Sequence, residues 1–117
     1  MDIESIRNYC ISKNAVTESM PFDDKTLVFK GTDKIFALAA LDSYPLGLNL
    51  KCDPEKAIDL REHYESVRPG YHSNKKHWNT IEVNGEITKE ALYELIDHSY
   101  NLVIAKLTKK VREKYLL

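Results

Sequence analysis

The segment "TLVFKGTDKIFALAALDSYPLGLNLKC", Thr26 to Cys52, constrains the fold more than any other part of the chain. It packs three apolar runs into a short span: Thr26 to Lys30, Lys34 to Leu41, and a third carrying Leu46, Leu48 and Leu50. Parallel neighbours would need crossovers of about a dozen residues or more, and neither connection has room for one. The runs must therefore pair antiparallel. The first two read as a hairpin, with Gly31 and Asp33 of Gly31-Thr32-Asp33 supplying the turn. In the third, the leucines alternate with Gly47, Asn49 and Lys51, which commits one face to burial.

Helical patterns flank this core. "DIESIRNYCISK" puts Ile3, Ile6 and Cys10 on one stripe, with Asp2 as N-cap. Asp53-Pro54 starts a second helix, because aspartate accepts orphan backbone N–H bonds and proline tolerates the first helical position. Its inward stripe reads Ala57, Leu60, Tyr64 and Val67, and it must stop before Pro69-Gly70. A fourth strand, "HWNTIEV", should point Trp78, Thr80 and Glu82 to one side and Asn79, Ile81 and Val83 to the other, ending at Asn84-Gly85. The last helix starts at Thr88, stapled by Ile87 against Leu92. It carries Leu92, Leu95, Ser99, Val103 and Leu107 on one face and runs beyond Arg112. The order α-β-β-β-α-β-α gives an α+β fold, an antiparallel sheet covered by helices, as one domain over residues 1–117. The neighbour of the fourth strand stays open.

With 43% hydrophobic and 30% charged residues, the composition excludes disordered and fibrous classes. The opening residues lack the order of a signal peptide and no apolar run reaches the length of a membrane span, so a cytoplasmic location is expected. Cys10 and Cys52 lack CxxC spacing and read as small packed hydrophobes. The net charge of -1 conceals an imbalance: residues 1–60 hold seven Lys/Arg against ten Asp/Glu, and residues 61–117 hold ten against eight. An anionic partner would prefer the second half, although so small an excess argues mildly against nucleic acid.

The densest chemistry lies in "PGYHSNKKHWNTI", Pro69 to Ile81. His72 and His77 lack the further ligands and spacings of a zinc site, so no metal is expected there. Ser73 beside His72, and Ser99 beside His98, are adjacent in sequence, whereas a catalytic pair needs facing side chains, an orienting acid and an oxyanion donor. Cys52 with His63 is weaker still, since a cysteine ending an apolar strand usually packs. No glycine-rich phosphate loop is present, and neither a cofactor nor an enzymatic activity is expected. What remains is cationic: Arg68, Lys75 and Lys76 with His72 and His77, and Lys106, Lys109, Lys110, Arg112 and Lys114 on the last helix. For the helix lysines, stabilisation by the macrodipole on a solvated face is favoured over a binding role.

The segment "PGYHSNKKHWNTI", preceded by "CDPEKAIDLREHY" and followed by "HSYNLVIAKL", resembles the MmcQ/YjbR-like family, as does "MPFDDKTLVFKGTDKIFAL". The resemblance runs from the first helix to about Leu107. It implies a twisted antiparallel sheet in a double-wing arrangement and a role in DNA binding. The resulting expectation is a noncatalytic DNA-binding or DNA-associated module meeting an anionic partner through the 68–78 loop. Arg68, His72, Asn74, Lys75, Lys76 and His77 are its contacts, and Tyr71 and Trp78 anchor the loop. The alternative is a protein-interaction or small-anion-binding module using the same loop.

Overall fold

The computed structural model describes residues 2–70 and 74–117. The sequence alternation resolves into six strands in the order β1-β2-β3-β4-β6-β5, every neighbouring pair antiparallel. The central strands are those expected: β2 (Thr26–Gly31), β3 (Lys34–Ala40), β4 (Leu46–Lys51) and β6 (Trp78–Val83). Two short edge strands were not anticipated, β1 (Val16–Ser19) beside β2 and β5 (Val67–Pro69) beside β6. Neither is long enough to show a periodicity of its own. Short edges also leave little free backbone for another chain to pair with.

The register puts Leu27, Ala39, Leu48, Ile81 and Val67 in one cross-strand row, and Phe29, Ala37, Leu50 and Asn79 in another on the same face. This face is the core. Three helices cover it: α1 (Ile3–Ile11), α2 (Pro54–His63) and α3 (Lys89–Ala105). Ile6 and Cys10 of α1 are fully buried there with Leu92, Ile96 and Val103 of α3. Tyr9 stacks on Tyr93 at 3.8 Å between ring centroids, closing α1 against α3. Asp2, Asp53 and Thr88 cap their helices through side-chain bonds to Ser5 N, Lys56 N and Ala91 N, as expected of these residue types. Cys10 and Cys52 are buried free thiols.

Four expectations need correction. Gly31 does not supply the hairpin turn: it ends β2, where an added Cβ would lie 3.3 Å from Ile104 Cδ1 and from the Tyr100 ring. It is glycine because α3 passes close. The left-handed turn residue is Thr32, φ 57°, whose N–H donates to Ala15 O at 2.9 Å and whose hydroxyl donates to Gly31 O at 2.6 Å. Second, the helix from Pro54 stops at His63, so Val67 reaches the core from β5 instead of from a helical stripe. Third, the last helix does not run past Arg112. It ends at Ala105, and Thr108 caps a separate α4 (Lys109–Lys114), because Lys106 N and Leu107 N bond the carbonyls only three residues back, tightening the final turn. Fourth, the observed order is α-β-β-β-β-α-β-β-α-α. No helix among the described residues is long and apolar enough to cross a membrane.

Candidate nucleic-acid interface

The loop leading into β6 is shaped from α2. Asn74 accepts backbone bonds from His77 N at 3.0 Å and Trp78 N at 2.9 Å, closing a tight turn. Its side-chain Oδ1 accepts from Lys76 N at 2.9 Å, so Asn74 serves the turn's own geometry, as short amide side chains do. Arg61, two turns into α2, donates from Nε to Asn79 Oδ1 at 2.7 Å and from Nη2 to the backbone oxygen of Lys75. Asn79 is buried, and its Nδ2 donates onward to Ala57 O at 3.3 Å. The loop is thus tied to α2 through a guanidinium whose fork also reaches Trp78 O at 3.4 Å.

Lys75 and Lys76 are exposed on this turn and His77 is half-buried. Lys51, which ends β4, lies opposite Trp78 across the β4–β6 pair, and Cys52 N donates to His77 O at 2.7 Å. One end of the sheet therefore gathers Lys51, Lys75 and Lys76. Arg68 is exposed on β5, opposite Thr80 and on the face turned away from the core. At the other end of the same strands, Glu65, Glu82 and Glu86 border a surface cavity with Ser66 and Asn84. Glu86 accepts from Ser66 N at 2.8 Å, and these bonds from Ser66 hold its carboxyl below the usual range. Trp78 and Val83 mark the two ends of β6, which five strand steps separate by roughly 17 Å.

Of the residues singled out in the sequence, Asn74, Lys75, Lys76 and His77 share one turn, with Arg68 on the neighbouring edge strand. Tyr71, His72 and Ser73 lie outside the described residues, so the anchoring expected of Tyr71 and the contact expected of His72 are not placed. Trp78 is mostly buried at the start of β6. Arg61 adds a tether to the loop that was not anticipated. It was missed because no local pattern tells a helix-end arginine that reaches a loop from one that reaches water. Lys51 was missed for a different reason: its pairing with Trp78 spans a whole helix and a loop.

The other candidate chemistry is spoken for. Ser99, fully buried on α3, accepts from Lys51 N at 2.9 Å and donates to Phe36 O at 2.5 Å, pinning α3 to β3 and β4. His98 Nε2 accepts from Asp53 N at 3.1 Å, and burial followed by the charge of Lys56 lowers its pKa, in keeping with a neutral ring. Burial pushes the Cys10 thiol up to about 12 and raises that of Cys52. His63 Nδ1 sits 2.9 Å from Asp59 O, within its own helix. Among the described residues, no three of His, Cys, Asp and Glu gather into a group that could hold a metal ion.

This arrangement of sheet, helices and loop is shared. The Deinococcus radiodurans protein DR2400, described by the domain family DUF419, superposes with a TM-score of 0.91 at 41% identity, covering 98% of this chain and 88% of that one. A Pseudomonas syringae protein superposes with a TM-score of 0.74 at 26% identity, covering 87% of this chain and 98% of the other. In sequence, the chain is 32% identical over 113 residues to Escherichia coli K12 YjbR, covering 97% of this chain and 96% of its relative. It is 41% identical over 95 residues to YbdF of Escherichia coli O157:H7, covering 80% and 77%. Both relatives are described as uncharacterized proteins. The model of the family described as YjbR matches residues 11–102, from the end of α1 through β6 and its loop into α3, and the chain belongs to that family.

Proposed function

We propose that the protein is a noncatalytic DNA-binding or DNA-associated module that meets phosphates through the end of the sheet carrying the 68–78 loop. The observation that carries this reading is the turn fastened by Arg61, which holds Lys75 and Lys76 at the surface beside the strand end of Lys51. Cations on an ordered turn lose less conformational entropy on binding than cations on a loose one. Glu82, on the acidic side, stands four strand steps or roughly 13 Å from Trp78 along β6, beyond the Debye length of about 8 Å at physiological ionic strength. At that separation its charge is largely screened at the loop.

The noncatalytic part rests on the commitment of Ser99 and His98 to structural bonds and on buried thiols held in the protonated form. The cations are few, so affinity should be modest. With about three phosphate contacts, the logarithm of the binding constant should fall with the logarithm of salt at a slope of about -3. The test is a titration of labelled duplex and single-stranded DNA at two salt concentrations. Binding that weakens along such a slope supports the reading. Absence of binding at low salt overturns it and leaves a protein or a small anion as the partner of this surface.

A further inference from the structure

A second cluster of cations lies where the start of β3, the end of β4 and the end of α3 converge. A cavity of about 320 Å³ there is lined by Lys34, Ile35, Lys51, Val103 and Lys106. The lining contains three ammonium-bearing chains, two aliphatic ones and no carboxylate. The three stems come from three different elements: Lys34 opens β3, Lys51 closes β4 and Lys106 is the C-cap of α3. Ser99 locks these together, its hydroxyl bonding both Lys51 N and Phe36 O. The spacing of the lysines is therefore a property of the fold.

Ion pairs among the described residues are Arg7–Glu18, Lys13–Asp97 and Lys109–Glu113, and none includes these three lysines. Burial lowers the pKa of Lys51, followed by direct contact with Lys106 and the charges of Lys106 and Lys34. No carboxylate among the cavity's lining residues offsets that repulsion. A lysine at the end of a helix is accounted for by the helix dipole, which explains Lys106. It does not explain why Lys51 and Lys34 share its cavity.

We propose that Lys34, Lys51 and Lys106 form a binding pocket for one phosphate group, borne either by a small phosphorylated molecule or by a nucleic-acid strand. Lysine ammoniums are compact point charges with three donors each, suited to a tetrahedral oxyanion with oxygens on all sides. A planar carboxylate would instead be matched by the fork of an arginine, which this cavity lacks. The volume exceeds that of a phosphate, and Ile35 and Val103 supply apolar contact for whatever the phosphate is attached to. The pocket shares Lys51 with the surface proposed above, but Lys34 and Lys106 lie outside the 68–78 loop, so replacing Lys75 and Lys76 separates the two readings.

The test follows backbone amide signals of the full chain by NMR during titration with inorganic phosphate, against sodium chloride at matched ionic strength. Saturable shifts are expected at Lys34, Ile35, Lys51, Val103 and Lys106. Lys51→Gln with Lys106→Gln should weaken phosphate binding by about tenfold or more, whereas Lys75→Gln with Lys76→Gln should leave it unchanged. Removing a repelling charge should not lower the melting temperature. Should the double variant unfold nonetheless, Lys106→Gln alone, at an exposed position, gives the same comparison. In a second arm, duplex DNA is added to the phosphate-loaded protein. Displacement of phosphate from the pocket assigns the ligand to a strand, and retention assigns it to a small molecule. Shifts that fail to saturate, or that spread evenly over the lysines, or wild-type phosphate affinity in the variants overturn the proposal.

Discussion

Arg61 bonds three acceptors, Asn79 Oδ1 and the backbone oxygens of Lys75 and Trp78, and all belong to the segment that carries the exposed lysines. Arg61→Ala would leave the buried Asn79 Oδ1 without its donor, a loss of about 1–3 kcal/mol. Chemical denaturation should show that loss, and hydrogen exchange should show faster exchange at His77 N and Trp78 N. Arg61→Lys should not restore protection, because a compact ammonium lacks the spread of a guanidinium fork over separated acceptors. Trp78→Ala should cost about 3 kcal/mol, the lower end of the range for aromatic truncation, because the side chain is mostly but not fully buried, and urea denaturation of the variant measures it. A third expectation concerns alkaline pH. Burial, then the bond to Asp97, pushes the Tyr9 hydroxyl up to about 12, and burial does the same to the Cys10 thiol. Both groups favour the protonated form in the fold. Their contribution is full below the unfolded-state values and is lost as pH rises through the folded ones. Stability should therefore decline from about pH 9 towards pH 12, starting near the unfolded thiol. In Tyr9→Phe the part of that decline above about pH 10 should shrink, read by thermal melts across the series.

At the scale of elements, β5 is the most exposed to a small change. It is three residues long, and Gly70, which follows it, donates to Trp78 O at 2.9 Å. A Cβ at Gly70 would lie 3.0 Å from Trp78 Cβ and 3.2 Å from Trp78 O, and the backbone oxygen cannot swing aside as a flexible side-chain end could. Gly70→Ala should cost about 1–3 kcal/mol and separate β5 from β6, which loss of amide protection at Gly70 would report. The same element shows what local patterns miss. Val67 was legible as a buried residue but placed on a helix, because its spacing from Tyr64 and Leu60 fits a helical stripe as well as a short strand beyond the helix end. Tertiary pairing with Ile81 decided the matter. The break between α3 and α4 was written in Thr108, a good N-cap, but a continuing run of helix-forming residues concealed it.

At the scale of the whole molecule, Lys51, Lys75 and Lys76 lie towards one end of the strands and Glu65, Glu82 and Glu86 towards the other. A net charge of -1 averages over this arrangement and hides it. Lys75→Ala with Lys76→Ala should leave stability within about 0.5 kcal/mol per site. If the lysines meet phosphates, the same replacement should flatten the salt dependence of DNA binding by about two in logarithmic slope. Salt titrations and thermal melts of one variant measure both. A large fall in melting temperature would show that these side chains hold the loop together and are not available to a partner.

The sequence by itself determined the elements whose burial repeats with the period of their own backbone: the central strands, the core stripe of α3, the capped starts of the helices and the two packed cysteines. Those features depend on neighbours within a few residues, where side-chain spacing and backbone geometry are linked directly. It also marked Lys75 and Lys76 as surface cations on a turn. Only the tertiary structure decided that β6 lies between β4 and β5, that Gly31 makes room for Tyr100 and Ile104, that Arg61 fastens the loop, and that Lys34, Lys51 and Lys106 border one cavity. Each of these joins residues from different elements. Side-chain type limits what such a residue can bond, but the packing of the sheet against α2 and α3 selects which partner comes within reach.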